Sequence, residues 1–285
     1  MAFHHTPKFT ADGLRREFPG PDPASVRNAK WIIVLGNRVL VSEKSRPTIV
    51  HDRIPGESSS TAPAIQFLGW YCDIPCYAAA VPEDAPVPEQ CTVSGARELF
   101  GSVPDEETGI AAFAIQVTDF DRKTRYCGRC GATTRPLAAE RAKECLSCGL
   151  IVYPRISPAI IVLVKKGDTI LLARSHRFPG GIHSLIAGFV EPGETIEQAV
   201  HREVREETGI GIANVRYAGS EPWPFPDSLM IAFTADYLGG TVQVDPAEIA
   251  SAGWFDRANL PLLPPATLSI SRALIDWWRE DSTLP

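Results

Sequence analysis

Short apolar runs separated by turn residues dominate the first part of the chain. Residues 31–35, 39–41 and 64–68 are such runs and predict strands, with Gly36, Asn37 and Arg38 turning between the first two. Residues 82–88 form a proline- and acid-rich connector, and residues 94–100 predict a short helix. A second series of strands begins after Pro158. Residues 159–164 and 169–173 flank a turn at Lys166, Gly167 and Asp168; residues 183–187 lead into a glycine-rich loop; residues 229–237 form a further apolar run. Two stretches carry helical spacing instead. Ile196, Ala199, Val200 and Val204 share one face of a helix that Thr195 and Gln198 open as a capping box and Gly209 closes. Residues 269–280 place Leu274, Ile275, Trp277 and Trp278 for burial on a terminal helix. Strands around one central helix, followed by a last helix, predict a mixed sheet held between helices. No internal repeat is evident.

The length of 285 residues accommodates two domains, or three small ones. A net charge of −6 excludes a polyanion binder that uses the whole chain. No stretch approaches the roughly 20 apolar residues of a membrane helix. The first residues are polar and lack the apolar core of an export signal. A cytoplasmic protein without membrane contact is therefore expected.

Seven cysteines, an odd number, argue against a fully paired secreted framework. Cys72, Cys76 and Cys91 have no partner pattern and read as small buried apolar residues. The other four form two CxxC pairs, Cys127 with Cys130 and Cys145 with Cys148, each followed by a glycine, Gly131 and Gly149. This is the spacing of a four-thiolate zinc site. Four thiolates leave no open position for water, so the Zn²⁺ would be structural. A pair of thioredoxin-like dithiols would need a βαβ setting that is absent here. The surrounding stretch is locally basic, with Arg125, Arg129, Arg135, Arg141 and Lys143 among its cations, but acids are interspersed. A solvated surface is the simpler reading than a nucleic-acid footprint.

The chemistry lies on the helix that begins after Thr195. Glu203, Glu206 and Glu207 stand at i, i+3 and i+4, so three carboxylates converge on one edge. Such a cluster repels itself unless a cation intervenes. Its hard oxygen ligands suit Mg²⁺ or Mn²⁺, which bridge to phosphate oxygens and polarise water. Arg202 is placed to reach Glu206 one turn on, or to fold back to Glu194 on the preceding loop. The full set Gly188, Glu194, Arg202, Glu203, Val204, Glu206, Glu207, Gly209 and Ile210 matches the pattern GX5EX7REUXEEXGU, with U a bulky apolar residue, at every fixed position. That is the Nudix signature, and the chain resembles the Nudix hydrolases. The resemblance implies an α/β/α sandwich and cleavage of a diphosphate linked to a nucleoside. It implies that Glu203 and Glu207 are metal ligands, that Glu206 is a ligand or assists the attacking water, and that the Ala187 carbonyl adds a metal contact. Glu194 and Arg202 would be structural supports.

Further features resemble the NADH pyrophosphatases within that family. Residues 220–228, namely Ser220, Glu221, Pro222, Trp223, Pro224, Phe225, Pro226, Asp227 and Ser228, are similar to the SQPWPFPxS element of that group. Prolines stiffen such a loop and hold its rings at little ordering cost. A zinc ribbon directly before the Nudix domain, itself preceded by an unrelated domain, follows the same arrangement. Tyr153 and Phe189 match positions whose aromatic rings flank the nicotinamide, and Glu248 matches a carboxylate that completes the metal site. The expected organisation is α+β: a strand-rich domain over residues 1–120 with no evident chemical motif, a four-cysteine zinc ribbon over 121–155 and a Nudix domain over 156–285. The resemblance implies hydrolysis of NAD(H) to NMN(H) and AMP, removal of NAD caps from RNA 5′ ends, and a homodimer. Position 221 departs from the pattern, with Glu where the group has Gln. The exchange replaces a donor amide by an acceptor-only anion. Next to a diphosphate it would weaken binding, whereas facing ribose hydroxyls it would accept from them. Two alternatives stand beside this reading. One is a diphosphatase preferring ADP-ribose or another dinucleotide; the other is a zinc-ribbon nucleic-acid-binding protein with an inactive Nudix domain, against which the three intact glutamates argue.

Overall fold

The computed structural model describes residues 3–43, 46–54, 63–176, 179–265 and 269–280. The chain forms two compact units, one of Lys8–Arg155 and one of Ile156–Pro285 together with Met1–Pro7.

The first unit holds strands β1 (Leu14–Arg15), β2 (Lys30–Leu35), β3 (Arg38–Ser42), β4 (Ala64–Tyr71), β5 (Ile74–Val81) and β6 (Cys91–Gly95), then helix α1 (Asp105–Lys123). The strands make a six-stranded sheet in the order β1-β4-β5-β2-β3-β6. Alternation along β2 divides its two faces. Ile32 and Val34 pack with Ile110, Ala111, Ala114 and Val117 of α1, while Ile33 and Leu35 join Leu40 and Ala79 on the other side. The short helix expected over residues 94–100 is absent. Ser94 and Gly95 instead extend β6 opposite Val39 and Arg38 of β3. Ladder hydrogen bonds outcompete a helix this short, which is marginal in isolation. The long α1 was not foreseen. It needs Gly109 near its start, because a Cβ there would lie 1.8 Å from the carbonyl oxygen of Thr10. Of the three outlying cysteines, Cys76 is buried as expected and Cys91 is half-buried. Cys72 is exposed, because with Asp73 it forms the β4–β5 turn, where both residues take positive φ.

The same unit continues into a three-stranded antiparallel sheet of β7 (Thr134–Pro136), β8 (Lys143–Cys145) and β9 (Ile151–Val152). Two of the basic residues noted above tether it rather than face water. Lys143 Nζ lies 2.8 Å from Asp121 Oδ1, and the Arg141 guanidinium stacks between Phe18 and Phe113 while donating to the Phe67 carbonyl.

The second unit contains β10 (Ser157–Lys166), β11 (Thr169–Ser175), β12 (Ile186–Phe189), α2 (Ile196–Thr208), β13 (Gly211–Trp223), β14 (Ser228–Gly239), β15 (Ile249–Asp256) and α3 (Ile270–Glu280). Its sheet runs β13-β14-β10-β11-β15, with β12 also on β10. The β10–β14 pair is parallel and the others antiparallel, giving the mixed sheet expected. Strand β10 is buried on both faces. Ile160, Val162 and Val164 meet Ala199, Val200 and Val204 of α2, and Ile161 and Leu163 meet Leu274, Ile275 and Trp278 of α3. The result is an α/β/α sandwich, with α2 packed on the strands that frame it.

The two sheets repeat one topology. With β1 and β12 set aside, β2–β3 and β10–β11 form hairpins, β4–β5 and β13–β14 form further hairpins, β5 runs parallel to β2 as β14 does to β10, and β6 pairs with β3 as β15 does with β11. β6 and β15 are the strands that close each repeat, and a helix follows each of them. The repeat is invisible in the sequence because the alternating pattern that a two-faced sheet demands can be met by many different residues. Among the described residues, the first unit has no counterpart of α2.

Candidate active site and zinc ribbon

Helix α2 is fixed at both ends by local chemistry. The Thr195 hydroxyl accepts from the Gln198 amide at 3.2 Å, and Gln198 Oε1 accepts from the Thr195 amide at 2.8 Å. Gly209 ends the helix at φ 72°, a left-handed conformation that glycine takes without strain.

Arg202 organises the approach to the glutamates. Its guanidinium donates to both oxygens of Glu194, at 2.6 and 2.9 Å, to the Phe189 carbonyl at 2.9 Å, to Glu203 at 2.8 Å and to Glu206 at 3.0 Å. Both pairings considered from the sequence are made at once. The loop is thereby locked to the helix, and the Glu194 carboxyl is held below its usual range by Arg202. Gly188 has a separate role. A Cβ there would fall 2.0 Å from the Glu203 carboxylate, so the bare backbone lets that carboxylate settle against β12 next to Ala187.

Burial pushes the Glu207 carboxyl up to about 8, and repulsion from Glu203, Glu248 and Glu206 adds to this. Burial also raises Glu203, against the pull of Arg202. Glu206 is mostly exposed. Glu248 reaches the cluster because the chain before β15 is laced to the end of α2. The Gln243 amide donates to the Thr208 carbonyl, the Asp245 amide to the Glu207 carbonyl, and the amides of Glu248 and Ile249 to the Asp245 carbonyl. Asp245 was not singled out from the sequence; its position depends on these long-range backbone bonds. Among the described residues Glu207 makes no ion pair or side-chain hydrogen bond. A buried carboxylate facing three others and no protein cation is a fit for a divalent metal ion. The glutamates do not form as tight a set as the cysteines described below.

The aromatic positions fall in two places. Phe189, at the end of β12, exposes more than half of its ring, and its carbonyl is held by Arg202. Trp223 and Phe225 meet edge to face at 5.2 Å on the β13–β14 connection. On that connection Pro224 and Ser228 are buried, Pro222, Trp223, Phe225 and Asp227 are half-buried, and Pro226 is exposed. Ser157 ties its far end by donating from its amide and hydroxyl to Asp227, at 2.8 and 3.0 Å. Tyr153 belongs to the first unit, is exposed, and donates to Glu140 at 3.3 Å. Glu221 is a correction. Expected to face substrate, it is fully buried, with Oε2 3.3 Å from Nε2 of His5. The β13 pleat turns its side chain inward, and sequence reasoning missed His5 altogether.

In the ribbon, the sulfurs of Cys127, Cys130, Cys145 and Cys148 lie within 4.8 Å of one another. Two of the separations are 3.7 and 3.5 Å. A tetrahedron with Zn–S bonds of about 2.3 Å has edges of about 3.8 Å, so the quartet fits zinc. The Arg129 amide points at Cys127 Sγ, and the amides of Ser147 and Cys148 point at Cys145 Sγ, each at 3.4 Å. Gly131 and Gly149, with φ of 74° and 69°, close the two knuckles. These amides bring the Cys145 thiol down to about 6, toward the thiolate that binds metal.

Comparison with known proteins matches three family profiles along the chain. A NUDIX domain covers residues 154–278, an NADH pyrophosphatase zinc ribbon domain covers 122–153, and an NADH pyrophosphatase-like rudimentary NUDIX domain covers 28–119. The first unit, expected to be unrelated to the second, is thus Nudix-like, in keeping with the repeated topology. The NAD-capped RNA hydrolase NudC of Deinococcus radiodurans is 43% identical over 253 residues, spanning 87% of this chain and 87% of that protein. The protein of the same name from Stutzerimonas stutzeri is 46% identical over 196 residues, spanning 69% and 70%. Among solved structures, a NUDIX hydrolase from Nitrosomonas europaea is 20% identical with a TM-score of 0.48, covering 56% of this chain and 93% of that one, a likeness too slight to add to these matches. The helix with its glutamates, the four-cysteine ribbon and the long alignment with the Deinococcus protein converge on one conclusion: the chain belongs to the NADH pyrophosphatase family of Nudix hydrolases.

Proposed function

We propose that the protein hydrolyses the diphosphate of NAD(H) to NMN(H) and AMP, and that it removes NAD caps from RNA 5′ ends. The observation that carries the reading is the buried Glu207 carboxyl, which faces Glu203 and Glu248 without an ion pair of its own among the described residues, in a chain whose relatives are named for NAD-capped RNA. Glu203, Glu207, Glu248 and the Ala187 carbonyl would hold Mg²⁺ or Mn²⁺. Bound there, the metal would neutralise the bridging phosphates and polarise the attacking water. Arg202 keeps Glu203 and the Phe189 loop in place, so the ligands need little rearrangement. Glu206, at the exposed edge of the cluster, either completes the metal set or takes the proton of the water as its oxygen bonds to phosphorus and the anhydride P–O bond breaks. Phe189, Trp223 and Phe225 offer aromatic faces for the base or the nicotinamide. The prolines at 222, 224 and 226 stiffen the loop, and Asp227 and Ser228 anchor its end.

Homodimerisation belongs to the same proposal, and light scattering of the purified chain tests it. So does a cytoplasmic setting, where reduced thiols remain available for zinc. Among the described residues no helix is long and apolar enough to cross a membrane. The deciding experiment is a panel of NADH, NAD, NAD-capped RNA and ADP-ribose with Mg²⁺ and Mn²⁺, with products identified by mass. Hydrolysis in ¹⁸O-water marks the phosphorus attacked. NMN(H) and AMP are the expected products; preferential turnover of ADP-ribose would overturn the substrate assignment.

A further inference from the structure

The N-terminal residues carry no motif, yet they lie against the Nudix sheet. The Phe3 ring meets the edge of Trp277 with centroids 5.6 Å apart and stacks on His5 at 5.9 Å. Beneath it is Gly219 of β13, where a Cβ would come 3.4 Å from the Phe3 ring. Two residues on, and therefore on the same face of the strand, is Glu221. The His5 side chain is 8% exposed and that of Glu221 0%, with Nε2 and Oε2 3.3 Å apart. A carboxylate withdrawn from water is costly without a partner. The His5 imidazole is the polar group that the N-terminal segment brings against Glu221.

Glu221 also lies two residues before Trp223, the end of β13. It pairs with Met230, and Pro222 and Trp223 follow it, paired with Leu229 and Ser228. The far end of the loop is tied independently, through Ser157 and Asp227. The Trp223 end follows directly from Glu221 along the strand. The resemblance leads one to expect a glutamine at this position, a side chain with a donor amide that Glu221 lacks. This chain has the acid, and a histidine from the opposite end of the sequence to meet it.

We propose that His5 is a positioning residue: through Glu221 it seats the Trp223–Phe225 loop and thereby sets affinity for the dinucleotide. The proposal rests on the NAD(H) diphosphatase reading. Steady-state kinetics on NADH with the full-length, zinc-loaded protein tests it, using wild type, His5→Ala, Glu221→Gln and the double variant. His5→Ala is expected to raise KM by about 3- to 10-fold with kcat changed less than about 2-fold, and to have little effect once residue 221 is Gln, because coupled neighbours are non-additive. Amide exchange across residues 219–230 should quicken in His5→Ala and return toward the wild-type rate in the double variant. His5→Gln, which keeps the bulk of the side chain, provides a second variant should His5→Ala not fold. An unchanged KM in a folded variant, or the same fold-change in both backgrounds, would reduce His5 to ordinary packing and overturn the proposal. If wild type does not hydrolyse NADH, the substrate reading fails; the exchange measurement still decides whether His5 orders the loop.

Discussion

Replacing Glu207 with glutamine should stabilise the metal-free protein while nearly abolishing its turnover. The carboxyl titrates near 8 in the fold, against a usual value of 4.5. The folded state therefore keeps a proton that the unfolded chain releases. The group leaves stability intact below pH 4.5, and that stability is lost progressively as pH rises to 8. At pH 5 the loss is about 1 kcal/mol and at pH 7 about 3 kcal/mol, from 1.36 kcal/mol per pH unit between the two pKa values. Glutamine does not titrate, so whatever it costs in hydrogen bonding is constant with pH. The stability of Glu207→Gln relative to wild type should accordingly rise by about 2 kcal/mol from pH 5 to pH 7, or roughly 4–8 °C in Tm for a protein of this size. The assay is thermal unfolding in buffers stripped of divalent ions by chelating resin, so that zinc stays in the ribbon. Saturating Mg²⁺ should raise the Tm of wild type and leave the variant almost unmoved, because the ion offsets the same repulsion. A Tm difference that stays constant from pH 5 to pH 8 would refute the reasoning.

Other expectations follow from the same geometry. Gly188→Ala places a methyl 2.0 Å from the Glu203 carboxylate; the displaced ligand should weaken Mn²⁺ binding about 10-fold or more, read by calorimetry, and an unaltered affinity would remove Gly188 from the site's design. Arg202→Lys replaces a planar fork that binds Glu194 through two nitrogens and also holds the Phe189 carbonyl; a fall in kcat/KM of about 10- to 100-fold is expected, with wild-type kinetics arguing against a locking role. Strong chelation of zinc, or Cys145→Ser, should lower Tm and abolish the cooperative melting of the first unit, and elemental analysis should find zinc in wild type but not in the variant.

Where the sequence was readable, the determinants were local. The capping box of Thr195 and Gln198, the stop at Gly209 and the two cysteine knuckles are each settled within a few residues, so their spacing alone specifies them. Arg202 was legible only as a choice between Glu194 and Glu206, because a guanidinium can satisfy both and the sequence does not show the loop folding back. Helix α1 gives a weak periodic signal because Ile110 and Val117 on its buried face are interspersed with the small and polar residues Thr108, Gly109, Ala111, Ala114 and Thr118. The convergence of Glu248 on α2 depends on backbone bonds from Gln243 and Asp245, and the burial of Glu221 depends on a histidine at the other end of the chain. Both are tertiary facts that no window of sequence contains.

The repeated strand order of the two units is the arrangement an internal duplication leaves behind. One copy carries a helix bearing the clustered acids between β12 and β13, and in the described part of the other there is none. The platform and its chemistry are thus separable inheritances. The sheet persists wherever apolar residues alternate, whereas the reaction resides in one inserted helix and the few residues that reach it. Substitutions around α2 should therefore be filtered by folding and by turnover together.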